Sequence, residues 1–259
     1  MQATCISMSQ LENILQRFQP ISIQEMDSVR LMNRTDTKFL VSRLELDELL
    51  QGLSNRYRVL EVEGVRLNRY RTLYFDTSDF LCYRQHHSGK RNRFKVRKRE
   101  YVESHVSFLE YKEKTNKGRT IKSRVKLTDI EPELNQGESE FIDKRTNHHL
   151  DYEPKLWNGF HRITLVDMQA GERLTIDSDI TFELNGRTAS LPELVIIEVK
   201  RDENSTASEV LKFLKHRLVR PESMSKYCLG VALLYPEMKS NNFKQKLLKI
   251  EKIKLAHVA

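Results

Sequence analysis

The 259-residue sequence is poor in the residues that define several common classes of protein. Its three cysteines, Cys5, Cys82 and Cys228, form no CxxC pair and cannot all be paired, which favours a reducing, cytoplasmic compartment over a disulfide framework. The longest uninterrupted apolar run, residues 228–235, is far shorter than the roughly 20 residues needed to cross a bilayer. The polar N-terminus lacks the basic and apolar regions of a secretory signal.

Glycine and proline are also scarce, with 9 and 6 residues, and neither gathers into an interdomain linker. The sequence has no internal repeat and no low-complexity segment. We therefore expect one main domain over residues 30–237. An N-terminal amphipathic helix with its lead-in, residues 1–29, would precede it, and a basic C-terminal helix or tail, residues 238–259, would follow it.

Positive charge is in excess, with 44 lysine and arginine residues against 36 acidic residues and a net charge of +8. This balance favours an anionic partner. Helix-like periodicity predicts helices at 9–18, from Ser42 to about Gly52, and at 137–149, 206–219, 225–234 and 243–255. Alternating patterns predict strands at 34–41, 57–63, 69–76, 93–101, 106–114, 120–127, 161–168, 173–177 and 193–200. Antiparallel strands with interspersed helices indicate an α+β protein.

Basic side chains share one face of several predicted strands, because successive strand residues point to opposite faces. The rows comprise Arg69 and Arg71; Arg93, Lys95, Arg97 and Arg99; Lys112 and Lys114; and Lys122, Arg124 and Lys126. A like-charge pair about 4 Å apart costs on the order of 4 kcal/mol at an effective dielectric constant of about 20. An anionic ligand would offset this repulsion. The strand pattern alone fits either a closed barrel with a polar interior or an open sheet with a basic concave face.

A few acidic residues stand among these bases. Asp36, Glu110, Asp177 and Glu198 each share a strand face with lysine or arginine. Carboxylates bind hard divalent cations through oxygen, while lysine and arginine neutralise phosphate charge, so the combination is suited to a metal-bound polyanion. For Glu198, a structural salt bridge with Lys200 is an equally compatible interpretation.

Seven short segments together resemble a known family. They are 34–39 (RTDTKF), 74–77 (YFDT), 95–101 (KVRKREY), 108–112 (FLEYK), 173–177 (RLTID), 197–200 (IEVK) and 225–227 (SKY). In this order they resemble the VTC (vacuolar transporter chaperone) polyphosphate polymerase domain over roughly residues 30–235. That family belongs to the CYTH-like triphosphate tunnel metalloenzymes. The resemblance therefore implies an eight-stranded antiparallel β-barrel around a basic tunnel, with flanking helices.

The resemblance also implies roles for individual residues. Phosphate would be bound by Arg34, Lys38, Arg97, Arg99, Lys112, Arg162, Arg173, Lys200 and Lys226. Glu198 would help hold Mg²⁺ or Mn²⁺. The alternation of the strands adds Lys95, Lys114, Lys122 and Arg124 to the phosphate-binding set. Within the whole set, the residues expected to be catalytic are Lys38, Arg97, Arg99, Lys200 and Glu198.

The implied activity is transfer of the γ-phosphate of ATP to a growing polyphosphate chain. The superfamily's hydrolases begin with E-x-E-x-K, whereas this sequence has Arg34 and Asp36 at the two acidic positions, a difference that favours chain transfer. The alternatives are an inorganic tripolyphosphatase or nucleoside triphosphatase on the same scaffold, and a non-catalytic polyphosphate-binding protein. Aromatic residues among the basic strands also make nucleic-acid binding an alternative function. The sequence has no RRM, KH or zinc-finger signature, however, and we expect no nucleic acid as a partner.

Two further features have simpler interpretations. The pairs His86-His87 and His148-His149 lack the spacing of a zinc site and are predicted to lie in solvated loops, although His86 could reach a phosphate near the tunnel mouth. The C-terminal segment carries Lys239, Lys244, Lys246, Lys249, Lys252 and Lys254. It could dock on an anionic membrane surface or a membrane-protein partner, or it could pack on its own domain with solvated lysines.

Overall fold

The computed structural model of the chain describes residues 7–28, 34–146, 148–202 and 208–258. The α-helices in this part of the chain are α1 Met8–Leu15, α2 Ile23–Ser28, α3 Arg43–Leu53, α4 Leu81–His87, α5 Gln136–Thr146, α6 Glu209–His216, α7 Lys226–Leu234 and α8 Lys244–Val258, with a short 3₁₀ helix at Asn241–Phe243. The strands are β1 Gln19–Ile21, β2 Arg34–Ser42, β3 Arg58–Leu60, β4 Asn68–Asp76, β5 Arg93–Tyr101, β6 Val106–Lys114, β7 Thr120–Leu127, β8 Glu153–Asp167, β9 Glu172–Leu184, β10 Arg187–Leu191 and β11 Leu194–Asp202.

Eight strands form the continuous path of the sheet, in the order β2-β11-β9-β8-β4-β5-β6-β7. Every neighbouring pair on this path is antiparallel. The short strands β1, β3 and β10 attach beside it. The predicted α+β class, with an eight-stranded antiparallel sheet and flanking helices, is confirmed.

The sheet curls so that its two ends approach each other. Strands β2 and β7 share no ladder, but one cavity is lined by Lys38 of β2, Lys112 of β6 and Thr120 of β7. The segment that precedes α7 covers part of the β2 edge, where the backbone N–H of Glu222 donates to the carbonyl of Lys38 at 2.7 Å. The curl therefore encloses a tunnel without backbone hydrogen bonds between β2 and β7.

Strand β7 is an exposed edge that pairs only with β6 among the described strands. On its outer face Ile121 and Val125 are exposed by 50% and 38%. The residues of opposite parity, Lys122, Arg124 and Lys126, lie on the inner face. An edge strand with charged side chains is typical of sheets that resist pairing with another chain.

Two large apolar clusters cover opposite faces of the sheet. On the outer face, α1, α3 and α6 pack against β2, β9 and β11 through residues such as Leu46, Val195 and Leu214. On the inner face, α7 packs against Leu156 and Phe182. Helix α7 is apolar around most of its circumference because it lies inside the curl, where nearly all of it is buried.

Most predicted helices are present near their predicted positions. Helix α3 begins after Ser42, as predicted, and Ser42 and Glu45 form a capping box at its start. The predicted start of the next helix, at residue 206, lies outside the described residues. The described N-cap of α6 is Ser208, whose side chain accepts from the N–H of Leu211 at 3.1 Å. No helix in the described ranges has both the length and the apolar character needed to span a membrane.

The prediction of a loop around His86 and His87 is wrong, because both residues lie in the last turn of α4. The buried carboxylate of Asp76 explains this helix. It accepts from the backbone N–H groups of Cys82 and Tyr83 at 2.8 and 2.9 Å, which satisfies donors at the helix N-terminus. A cap supplied by the preceding strand, several residues away, leaves no local start signal in the sequence.

Candidate functional site

The inner face of the curled sheet, hereafter the tunnel face, gathers charged side chains from β2, β11, β9, β8, β5, β6 and β7. The registers of neighbouring strands place several of the predicted residues directly opposite each other. Lys95 of β5 pairs with Lys112 of β6, which pairs in turn with Lys122 of β7. In the next row of the same face, Arg97 pairs with Glu110, and Glu110 pairs with Arg124. Like charges therefore lie in one row, and a carboxylate separates the cations in the next.

Glu198 lies between two lysines on the tunnel face. Its two carboxylate oxygens accept from the ammonium groups of Lys38 and Lys200, and only 16% of its side chain is exposed. Burial opposes ionisation of this carboxyl, but the two ammonium groups outweigh burial and hold the pKa of Glu198 well below its ordinary value. Burial also lowers the pKa of Lys200, to about 8, against the attraction of Glu198.

Asp177 organises a second cluster beside the first. It accepts two hydrogen bonds from the guanidinium of Arg162, at 2.6 and 2.7 Å, and another from the ammonium of Lys226. Burial favours its neutral form, but Arg162 and Lys226 outweigh this effect and lower the pKa of Asp177. Lys226 begins α7, so this contact fixes the start of the helix that fills one part of the tunnel.

The third cluster, on β5 and β6, has fewer compensating acids. Burial is the main cause that lowers the pKa of Lys112, to about 7, and the positive charges of Lys122 and Lys38 add to it. Burial also lowers the pKa of Lys95, whose ammonium donates to Ser225 Oγ at 2.7 Å. Ammonium groups whose pKa is lowered by burial and by neighbouring cations mark a place where further negative charge would be favourable.

The structure brings most of the predicted phosphate-binding residues to this face. Those in the three clusters are Lys38, Lys95, Arg97, Arg99, Lys112, Arg162, Lys200 and Lys226. Lys114, Lys122 and Arg124 lie at the exposed end of the face, where Arg124 stacks 4.4 Å from the ring of Phe108. Arg173 pairs with Lys200 in the register, but its Nη2 donates to the carbonyl of Met26 at 3.0 Å. The side chain of Arg34 lies outside the described residues, although its backbone pairs with Asp202.

Sequence reasoning did not assign Tyr74, which is 4% exposed and lies opposite Arg97. Burial favours the neutral phenol, but the charges of Arg97 and Arg99 outweigh burial and lower the pKa of Tyr74. Tyr74 shares its strand parity with Thr72, whose Oγ1 accepts from Arg99 Nε at 3.1 Å, so the alternation of β4 was a usable signal.

Aromatic rings contact several of the cations on the tunnel face. Tyr70 and Phe160 stack with ring centroids 5.1 Å apart. The guanidinium carbon of Arg162 lies 4.8 Å from the Tyr70 ring, and the ammonium of Lys226 lies 4.3 Å from the Phe160 ring. Such cation–π contacts are strengthened when they are desolvated, so the rings help to hold the cations in place without neutralising them.

The donor set suits a divalent cation only if a ligand supplies part of its coordination. No group of three or more His, Cys, Asp or Glu side chains able to hold a metal occurs in the described residues. Glu198 is the best-placed carboxylate, and Asp36 lies one register step away, opposite Lys200. Mg²⁺ commonly takes one or two carboxylates together with phosphate oxygens and water. The residues present therefore fit a metal shared with phosphate, but not a cage made by the protein alone.

The basic C-terminal helix packs on its own domain through part of its surface. Ile250 of α8 is buried in the inner-face cluster, with Leu247 and Ile253 packed against it. Lys246 donates to Ser223 Oγ at 3.1 Å, which ties α8 to the segment that covers the β2 edge. Docking of the remaining lysines on a membrane or a partner stays a prediction.

The sequence matches the VTC domain family over residues 33–235. The chain belongs to this family. The match covers α7 and all eight strands of the sheet's continuous path, and it ends before α8. No curated protein matches the sequence.

Solved structures similar to this VTC domain protein share little sequence with it. A proposed adenylate cyclase from Vibrio parahaemolyticus has 14% identity and a TM-score of 0.46, with 77% of this chain and 99% of that chain covered. HpAC1 from Hippeastrum, a proposed adenylyl cyclase described as having a dominant triphosphatase activity, has 16% identity and a TM-score of 0.46, with 78% and 96% covered. A proposed adenylate cyclase from Bacillus halodurans has 16% identity and a TM-score of 0.43, with 75% and 96% covered.

Proposed function

We propose that this VTC domain protein is a polyphosphate polymerase that transfers the γ-phosphate of ATP to a polyphosphate chain held in its tunnel. One observation carries the proposal: the enclosed tunnel face concentrates cations whose mutual repulsion is only partly relieved by four carboxylates. Lys112 shows this most clearly, since burial and neighbouring cations lower its pKa to about 7. A chain of phosphates would supply the missing negative charge along the length of the face.

The residues of the tunnel would act by position and charge. Lys38, Arg97 and Lys200 would hold non-bridging phosphate oxygens, and Arg99 and Arg162 would extend the row. Glu198 would hold Mg²⁺ or Mn²⁺, which when bound would neutralise phosphate charge. A terminal oxygen of the chain attacks the γ-phosphorus as the bond to the β-phosphate oxygen breaks and ADP leaves. Phosphoryl transfer of this kind depends on alignment and electrostatic stabilisation more than on covalent chemistry.

Whether water or the phosphate chain is the nucleophile depends on whether a carboxylate of the tunnel can act as a base. Burial opposes ionisation of Glu110, Asp177 and Glu198, but neighbouring cations outweigh it and lower the pKa of all three carboxyls. Such carboxylates are weak proton acceptors and poor bases for activating water. A terminal phosphate of the chain is already anionic and requires no base. These features favour chain transfer over hydrolysis.

Substitution Glu198→Gln tests the role of the carboxylate. We expect turnover of ATP with Mn²⁺ to fall by about 10²-fold or more, because the variant removes the charge best placed to hold the metal. Glu183→Gln on the exposed part of β9 is the matched control and should keep wild-type turnover. Full activity of Glu198→Gln would contradict the assignment.

Product analysis of the wild-type protein tests the reaction itself. Purified protein incubated with ATP and Mn²⁺ should yield long-chain polyphosphate and ADP, resolved by gel electrophoresis and chromatography. Free phosphate without polymer would indicate the tripolyphosphatase alternative. Binding of ATP without any product would indicate a non-catalytic phosphate-binding protein.

A further inference from the structure

Beside the phosphate-binding clusters the tunnel opens into a cavity of about 650 Å³ between the two ends of the sheet. This volume lies within the roughly 300–1,000 Å³ of typical small-molecule sites. One side is bordered by Lys38, Lys95 and Lys112 of the phosphate-binding row. The other sides come from β5, the segment before α7, α7 itself, the 3₁₀ helix and α8.

The second part of the cavity has a different chemistry from the first. Its lining includes Phe94, Met224, Leu229, Ala232, Phe243 and Leu247. An inorganic chain of phosphates has no apolar surface and gains nothing from such a wall. A site that joins cations to aromatic and aliphatic side chains suits a ligand with both a polyanionic end and an apolar, flat end.

Polar and aromatic side chains that line the cavity are held in position by contacts with each other. Asn242 Nδ2 donates to the carbonyl of His87 at 2.9 Å, and the ring of Phe243 lies edge-on to that of His87 with centroids 5.3 Å apart. His86, in the same wall, stays neutral because burial and nearby Lys95 lower its pKa to about 2. A neutral imidazole can both donate and accept hydrogen bonds.

We infer that this cavity binds the nucleoside of the nucleoside triphosphate, with the triphosphate running from Lys112 and Lys95 towards Lys38. This inference rests on the proposed function. It adds that ATP, the phosphate donor, occupies a site that the polyphosphate chain, the phosphate acceptor, does not. ATP occupies both the apolar part of the cavity and the row of lysines, whereas the polyphosphate chain occupies only the lysines and the tunnel. The protein would thereby distinguish the nucleotide from the chain, although both present phosphate to the same cations.

Filling the cavity tests the inference. Ala232 is half-buried on α7 and Ser223 is exposed in the preceding segment, and both line the cavity. We expect Ala232→Phe and Ser223→Trp each to weaken binding of a non-hydrolysable ATP analogue by about tenfold, equivalent to about 1.4 kcal/mol. Binding of inorganic tripolyphosphate should change less than about twofold, because it has no group that contacts the apolar part of the cavity. Ala232→Ser and Ser223→Ala are the matched controls, and calorimetry on the full chain measures both ligands.

The results separate this inference from the proposed function. Equal weakening of both ligands, or no effect on either, in folded variants would overturn the nucleoside site. Failure of the wild type to bind the ATP analogue would overturn it as well. Selective loss of the ATP analogue in a protein that makes no polymer would support the nucleoside site and reject the polymerase reaction. Circular dichroism and thermal unfolding of each variant verify that the overall fold is retained.

Discussion

At the scale of single residues, Lys112 is the most informative group of the tunnel. Burial, reinforced by Lys122 and Lys38, lowers its pKa to about 7 in the unliganded protein. Phosphate bound beside it would raise that pKa again by favouring the ammonium form. Above pH 7, binding must therefore be accompanied by proton uptake, and affinity must fall as pH rises from about 7 towards the pKa of the bound state.

We predict that tripolyphosphate binding at pH 8 takes up close to one proton at Lys112, with a smaller contribution from Lys200. Calorimetry in two buffers of different ionisation enthalpy measures this uptake. Lys112→Gln should reduce it and weaken binding by about 10–100-fold, the typical effect of losing a charged hydrogen bond. Lys212→Gln, at an exposed position on α6, should leave both unchanged. Undiminished proton uptake in Lys112→Gln would contradict the prediction.

Strand alternation was sufficient to predict which basic side chains share a face, but not which of them touch. Lys38, Glu198 and Lys200 meet because β11 lies beside β2, a pairing of segments about 160 residues apart. Asp177 likewise meets Lys226 through the position of α7 inside the curl. These partnerships depend on strand order, which a single sequence does not display.

At the scale of elements, Gly230 allows α7 to lie against the sheet. A Cβ at this position would lie 2.6 Å from Phe182 Cδ1 and 2.9 Å from Leu156 Cδ2, both in the buried core. We predict that Gly230→Ala lowers the free energy of unfolding by about 1–3 kcal/mol, measured by urea denaturation, because a tightly packed core must move.

Gly52→Ala is the matched control for Gly230→Ala. Gly52 lies near the end of α3, and a Cβ added there would have no neighbouring atom within 4 Å, so alanine should raise stability by up to about 1 kcal/mol through helix propensity. Gly230→Ala should also weaken tripolyphosphate binding, since α7 carries Lys226. Equal stability of the two variants would show that α7 is not held by close contact with the sheet.

The elements that sequence periodicity missed have non-local causes. Strand β8 begins at Glu153, eight residues before the predicted start at 161, because its first half pairs with β4 around a bulge. The three-residue strand β1 exists only through its parallel pairing with β3. Segments with strong local signals, such as α3 and β5, were predicted within about a residue of their bounds.

At the scale of the whole molecule, the charge of +8 and its concentration on the tunnel face make the unliganded protein self-repelling. We predict that tripolyphosphate at about 100 times its Kd stabilises the protein by about 2.7 kcal/mol and raises Tm by roughly 5–10 °C. Sodium sulfate at the same ionic strength is the control and should raise Tm much less. Equal shifts with both salts would indicate general screening rather than a specific site.

The basic residues of the exposed edge strand β7 also affect self-association of the protein. Lys122, Arg124 and Lys126 lie where an unpaired strand with apolar neighbours would otherwise recruit a second copy into a shared sheet. Neutralising them to study phosphate affinity would at the same time remove a barrier to self-association. Loss of activity in such variants would then reflect aggregation as well as weaker binding, and light scattering would distinguish the two.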